Sequence, residues 1–270
     1  MKMASCVDIF DIVLSFDTTG SMYGCLNAVR DRMREMMRKL KSDIPGIRMG
    51  VIAHGDYDTG HTYIIKYENL TDDVERLCRF VQNAQGTGAG FAGNSDEAYE
   101  LALYYTRCKI SWRQNSNRVL VMIGDCRPHE RDYFLNKQHI DWTKEILTLR
   151  DMNVKINAVQ CGYPSYADTF YQKIASATFG HHVSLNDIKK IEEVLMSICY
   201  REAGLGIKTT SVVKSSSLAS YPGHVNMSVP APADSRTQIS VPEEDSDSCS
   251  DDDDQSNVNG MKCPMLSTCF

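Results

Sequence analysis

The chain has 270 residues, of which 42% are hydrophobic and 24% charged, with a net charge of -6. These proportions are those of a soluble globular protein, and they exclude collagen, a coiled coil, a disulfide miniprotein and a chain disordered throughout. Apolar runs such as Val119–Gly124 are far shorter than the roughly 20 residues that span a bilayer, so no membrane association is expected.

The charge is unevenly placed. Residues 205–270 hold nine acidic and four basic side chains, against 26 and 25 in residues 1–204. A near-neutral globule is followed by an acidic tail, and neither has the basic footprint of a nucleic-acid binder.

In chain order, the first predicted element is the strand Ile9–Phe16, an almost continuous apolar run that ends in Asp17-Thr18-Thr19-Gly20-Ser21-Met22. A helix is predicted over Leu26–Lys41, with Val29, Met33, Met36, Met37 and Leu40 near helical spacing. Ile44-Pro45-Gly46 stops it, and the strands Ile47–His54 and Tyr63–Tyr67 follow. Between them, His54-Gly55-Asp56-Tyr57 reads first as turn chemistry, with a place at the rim of a site as the alternative for Asp56. Thr71-Asp72-Asp73-Val74-Glu75 is a helix start with acids in its first turn, and Asp96–Arg107 is a further helix. The strand Val119–Gly124 leads into Asp125. The helix Asp141–Arg150, the strand Val154–Val159, the helix Ala167–Ala177, the strand His182–Leu185 and the helix Ile188–Arg201 complete the set.

Continuous apolar strands alternating with amphipathic helices predict a parallel sheet covered on both faces. The expected fold is a Rossmann-like three-layer α/β sandwich over residues 7–204, with a mostly parallel central sheet flanked by helices. Residues 205–270 are expected to be a disordered Ser/Pro-rich and acidic tail, because the run EEDSDSCSDDDD at 243–254 repels itself and buries nothing. None of the ten cysteines forms a C-x-x-C pair, and the acids Asp8 and Asp11 interrupt any apolar signal segment near the start. An intracellular, cytoplasmic protein with reduced thiols is therefore expected.

Asp17, Thr19 and Ser21 stand at i, i+2 and i+4 directly after a buried strand. In an open α/β sheet, ligands bind at the carboxyl ends of the strands. Gly20 allows a tight turn there, and the three side chains offer hard oxygen donors that suit Mg2+ or Mn2+. Asp125, after Val119–Gly124, brings a second carboxylate to the same edge. Alone, Asp17 would read as a turn or capping residue; the matched strand-Gly-Asp makes the metal reading the stronger one.

DIVLSFDTTGSM resembles the first motif of von Willebrand factor A domains, the Asp-x-Ser/Thr-x-Ser of the metal-ion-dependent adhesion site. VLVMIGDCRPH resembles the strand that carries the later Asp of that site, in the form seen in domains associated with alpha-kinases. The resemblance spans about residues 8–200. It implies that Thr19 and Ser21 bind the ion through their hydroxyls and that Asp17 and Asp125 act directly or through water. The family completes its site from a middle loop, with a Thr or with an Asp in a Gly-Gly-Asp-x-Pro-Glu-Ala pattern. Here that segment reads Ala92-Gly93-Asn94-Ser95-Asp96-Glu97-Ala98, so Asn94 stands where the Asp would be. The implied function is a non-enzymatic, Mg2+-dependent (or Mn2+-dependent) protein-binding module that accepts a partner's acidic side chain. The alternative is an assembly scaffold of the same fold with a weakened or vestigial metal site.

Other signals point elsewhere less specifically. Gly88-Ala89-Gly90-Phe91-Ala92-Gly93 matches a dinucleotide fingerprint but follows a helix-like segment instead of a strand. A phosphotransferase nucleophile at Asp17 would need a second acid where Thr19 stands. His181 and His182 are adjacent on a strand and face opposite ways. The tail reads as solubilising, with phosphorylation of Ser246, Ser248 and Ser250 as the alternative. Thr268-Cys269-Phe270 matches, over a short stretch, the ending that PDZ domains capture by β-addition.

Overall fold

The computed structural model describes residues 9–58, 62–88, 95–162 and 166–205. Asn94 and the predicted tail beyond Leu205 lie outside the described residues.

Among the described residues, six strands form one sheet in the order β3-β2-β1-β4-β5-β6. They are β1 (Phe10–Asp17), β2 (Arg48–His54), β3 (Ile65–Thr71), β4 (Asn117–Gly124), β5 (Val154–Cys161) and β6 (His182–Leu185). All neighbouring pairs are parallel except β2 and β3. Among the described residues, six helices cover the sheet: α1 (Tyr23–Asp43), α2 (Val74–Asn83), α3 (Tyr99–Cys108), α4 (Trp142–Asp151), α5 (Asp168–Ala177) and α6 (Ile191–Glu202). Among the described residues, no helix is long and apolar enough to cross a membrane.

The two-residue period of a strand divides the core in two. Ile12, Leu14 and Phe16 of β1 and Val119, Val121 and Ile123 of β4 pack with α1, α2 and α6. Val13 of β1 and Leu120 and Met122 of β4 pack with α3, α4 and α5 on the opposite face. Burial on both faces explains why these strands read as unbroken apolar runs.

The edge strand departs from expectation. The predicted Tyr63–Tyr67 becomes Ile65–Thr71, running antiparallel to β2. At this edge both Lys66 and Tyr67 are exposed, so the apolar signal fades. The helix expected from Thr71 instead starts after Asp73, whose side chain accepts the Arg76 N–H as an N-cap. At the amino end of β1, fully buried Asp11 is held by Arg48 and Arg113. That ion cluster closes one end of the sheet, and the carboxyl end carries the loops of the candidate site.

Candidate metal centre

β1 and β4 are neighbours in register, with Phe16 opposite Ile123, so the segments after them emerge side by side. Asp17 closes β1 and is 1% exposed. Its Oδ1 accepts hydrogen bonds from the Thr19 N–H and the Thr19 hydroxyl, both at 2.7 Å. This Asx turn folds the loop back on itself. Gly88 pins the loop from outside by accepting from the Gly20 N–H at 3.0 Å, while the Thr87 N–H donates to Thr18 O at 2.8 Å. Ser21 lies exposed on the 3-10 turn Gly20–Met22 that leads into α1.

Tyr99 joins the two strand ends. Fully buried at the start of α3, it donates its hydroxyl to Asp17 Oδ2 at 2.7 Å. The same oxygen accepts the backbone N–H of Asp125 at 3.1 Å and of Cys126 at 3.4 Å. Gly124 makes room for this contact, because a Cβ there would sit 1.8 Å from the Tyr99 hydroxyl oxygen.

Asp17, Asp125 and Cys126 bring one ligand atom each within 4.8 Å of one another. Glu97, in the turn before α3 and beside the Thr19 hydroxyl, lies near Asp17 and Asp125, and its Oε2 is buried with no hydrogen-bond partner. Burial pushes the Asp17 carboxyl up to about 6, with the nearby Asp125 adding to the shift against the donors Thr19 and Tyr99. Burial, reinforced by Asp17, Asp56 and Asp125, pushes Glu97 up to about 9. Among the described residues, no cationic side chain pairs with Asp17, Glu97 or Asp125. A crowd of partly desolvated carboxylates without a countercharge is chemically suited to a divalent cation.

Below the loops lies a second polar layer. His129 Nε2 and Asp56 Oδ1 are 2.6 Å apart, and both residues are buried. The His129 N–H donates to Glu100 Oε2 at 3.1 Å, and Tyr57 donates its hydroxyl to Glu100 Oε1 at 2.6 Å. Asp56 also accepts the Tyr57 N–H, so it is at once a turn residue and an anchor for His129. On the outer surface, Arg127 pairs with Asp96 through two hydrogen bonds and lies over the Tyr166 ring. Tyr166 donates to Ser95 O, and Tyr23 is exposed beside Gly86.

The Ser15 hydroxyl and His54 Nδ1 lie 3.3 Å apart, a pair that resembles a nucleophile and base. Both are fully buried, and burial lowers His54 to about 3, so the imidazole is a weak base with no access to substrate. His182 Nε2 meets Gln160 Oε1 at 2.9 Å, an ordinary structural contact.

Asp17, Thr19 and Asp125 are thus clustered, Ser21 lies on the same strand-end loop, and Asn94 falls outside the described residues. Glu97, Tyr99 and Cys126 had no place in the sequence reading of the site. Glu97 stands three residues after Asn94, at the Glu of the Gly-Gly-Asp-x-Pro-Glu-Ala pattern, in which the Asp is the ligand position.

A family model described as the von Willebrand factor type A domain matches residues 11–196. Alpha-protein kinase vwkA of Dictyostelium discoideum is 28% identical over 135 residues, covering 49% of this chain. The match covers 20% of that kinase, so the chain spans about a fifth of the length of this relative. Proximal thread matrix protein 1 of the mussel byssus, solved with a zinc-occupied MIDAS motif, superposes with a TM-score of 0.54 at 15% identity, over 74% of this chain and 47% of that one. BatB of Bacteroides thetaiotaomicron gives a TM-score of 0.49 at 10% identity, over 72% of this chain and 99% of that one. With the six-stranded sheet in place and the family model matched from β1 into α6, this chain belongs to the von Willebrand factor type A domain family.

Proposed function

We propose that this chain is a non-enzymatic, cation-dependent protein-binding module of the cytoplasm. The observation that carries the reading is the meeting of Asp17 and Asp125, from two adjacent strand ends, beside the unpartnered Oε2 of Glu97. Thr19, Ser21 and Asn94 would hold the ion through their side-chain oxygens, and Asp17 and Asp125 directly or through water. Glu97, on giving up its proton as the ion binds, would supply charge that Asn94 lacks. The ion, Mg2+ or Mn2+ where oxygen donors alone bind it, supplies an electrophilic position for an acidic side chain of the partner. Such a bond is charge-assisted, and one partner Asp or Glu would dominate the affinity. Tyr23 and Tyr166 are exposed aromatics of the kind that protein interfaces favour.

Asp17→Ala is expected to weaken Mn2+ and Mg2+ binding by at least about tenfold in titration calorimetry. It is also expected to abolish partner capture in Mg2+ while the far-ultraviolet circular dichroism stays unchanged. Capture that survives both chelator and Asp17→Ala would favour the scaffold reading with a vestigial site. Asn94→Asp is expected to tighten Mg2+ binding on the order of tenfold, because it adds a charged oxygen donor. An unchanged dissociation constant in that variant would remove position 94 from the ligand set.

A further inference from the structure

We infer that Cys126 is a ligand of the proposed centre and makes it prefer zinc-class ions to Mg2+. The inference rests on the metal-centre reading above and concerns which ion that centre holds.

Cys126 directly follows Asp125, and its Sγ lies 3.3 Å from Asp125 Oδ1. A tetrahedral zinc with sulfur at about 2.3 Å and oxygen at about 2.0 Å separates those two ligand atoms by about 3.5 Å. The Cys126–Asp125 pair therefore already spans one edge of a zinc site. Asp17 offers a carboxylate oxygen within 4.8 Å of both. Glu97, in the turn before α3, is a further carboxylate near Asp17 and Asp125. It is only 8% exposed, and its Oε2 has no hydrogen-bond partner. Mg2+ requires a near-octahedral oxygen shell and gains nothing from sulfur, whereas thiolate ligands select zinc and its chemical relatives. On binding, the Cys126 S–H bond breaks, the proton passes to buffer, and the sulfur lone pair forms the metal–sulfur bond; nothing is oxidised or reduced. Two other buried thiols, Cys25 and Cys161, face each other and serve as internal controls.

The experiment is optical titration of the full chain with Co2+ as a zinc surrogate, joined to Zn2+ and Mg2+ calorimetry. The proteins are wild type, Cys126→Ser and the double variant Cys25→Ser/Cys161→Ser, with Cys126→Ala as a second variant should the serine disturb folding. The expected result is a near-ultraviolet thiolate-to-cobalt band in wild type and in the double variant. That band is lost in Cys126→Ser, which keeps the visible ligand-field bands. Zn2+ binding is expected to weaken by about 10–100-fold in Cys126→Ser, so that the preference for Zn2+ over Mg2+ falls relative to wild type. Cobalt binding by wild type without the thiolate band, or equal Zn2+ affinity with and without the thiol, overturns the inference and leaves the oxygen-bound centre standing. If wild type binds none of the three ions, the metal-centre reading fails and this inference fails with it.

Discussion

Between about pH 7 and pH 8, the unfolding free energy of the ion-free chain is expected to fall by about 1.4 kcal/mol per pH unit, and Glu97→Gln to remove most of that slope. Glu97 rises from 4.5 to about 9 on folding, burial being the main cause. Across this interval the native state keeps a proton that the unfolded chain has released. Stability from this group is therefore complete below pH 4.5 and is lost as the pH climbs through about 9. Asp17, raised from 3.8 to about 6, and Glu100, raised from 4.5 to about 7, act in the same sense but finish at lower pH. His54, lowered from 6.5 to about 3, acts in the opposite sense and is silent above 6.5. Glu100 adds a smaller contribution of the same sign near pH 7, and Glu97 carries most of the slope between pH 7 and 8. Urea unfolding in chelator at both pH values measures the slope. A Glu97→Gln protein as steep as wild type would show that the proton sits elsewhere. Saturating Mn2+ is expected to flatten the wild-type slope as well, because the ion takes the place of the proton.

The parts of this molecule that could be read from the sequence are those whose environment is set locally. β1, β4 and β5 are covered on both faces, so burial shows as unbroken apolar runs; β3 is an edge, and Lys66, Glu68 and Asn69 interrupt its pattern. Asp17, Thr19, Ser21 and Asp125 stand immediately after buried strands, where spacing alone brings them to one sheet edge. Tyr99 reaches Asp17 across 82 residues of sequence, and no local pattern encodes that contact. Glu97 owes its raised pKa first to burial and then to Asp17, Asp56 and Asp125, which three different segments bring to it. Cys126 reads as one more small apolar residue until Asp125 and Asp17 are seen beside its sulfur.

Gly124→Ala is expected to destabilise the fold by about 3 kcal/mol and to disorganise the metal centre at the same time. Gly124 does not adopt a positive φ, so alanine meets no backbone penalty there and the effect is purely steric. The new Cβ would lie 1.8 Å from the Tyr99 hydroxyl oxygen and 2.6 Å from Cζ. Tyr99 is fully buried and packs edge-on against Phe170 and Tyr171, so its ring has little freedom to retreat. If the ring shifts, Asp17 loses a 2.7 Å donor and the Asp125 and Cys126 N–H groups lose their acceptor. A charged carboxylate stripped of a buried hydrogen bond costs about 1.5–3 kcal/mol, and overpacking about 1–3 kcal/mol. Tyr99→Leu removes the atoms that clash, so the double variant Tyr99→Leu/Gly124→Ala is expected to be more stable than the two single effects added together. Additive effects in urea unfolding would mean that the alanine is accommodated by the β4 backbone. Metal titration separates the two consequences: Tyr99→Leu alone should weaken ion binding without any clash, because Asp17 and the Asp125 backbone then lose the hydroxyl that holds them together.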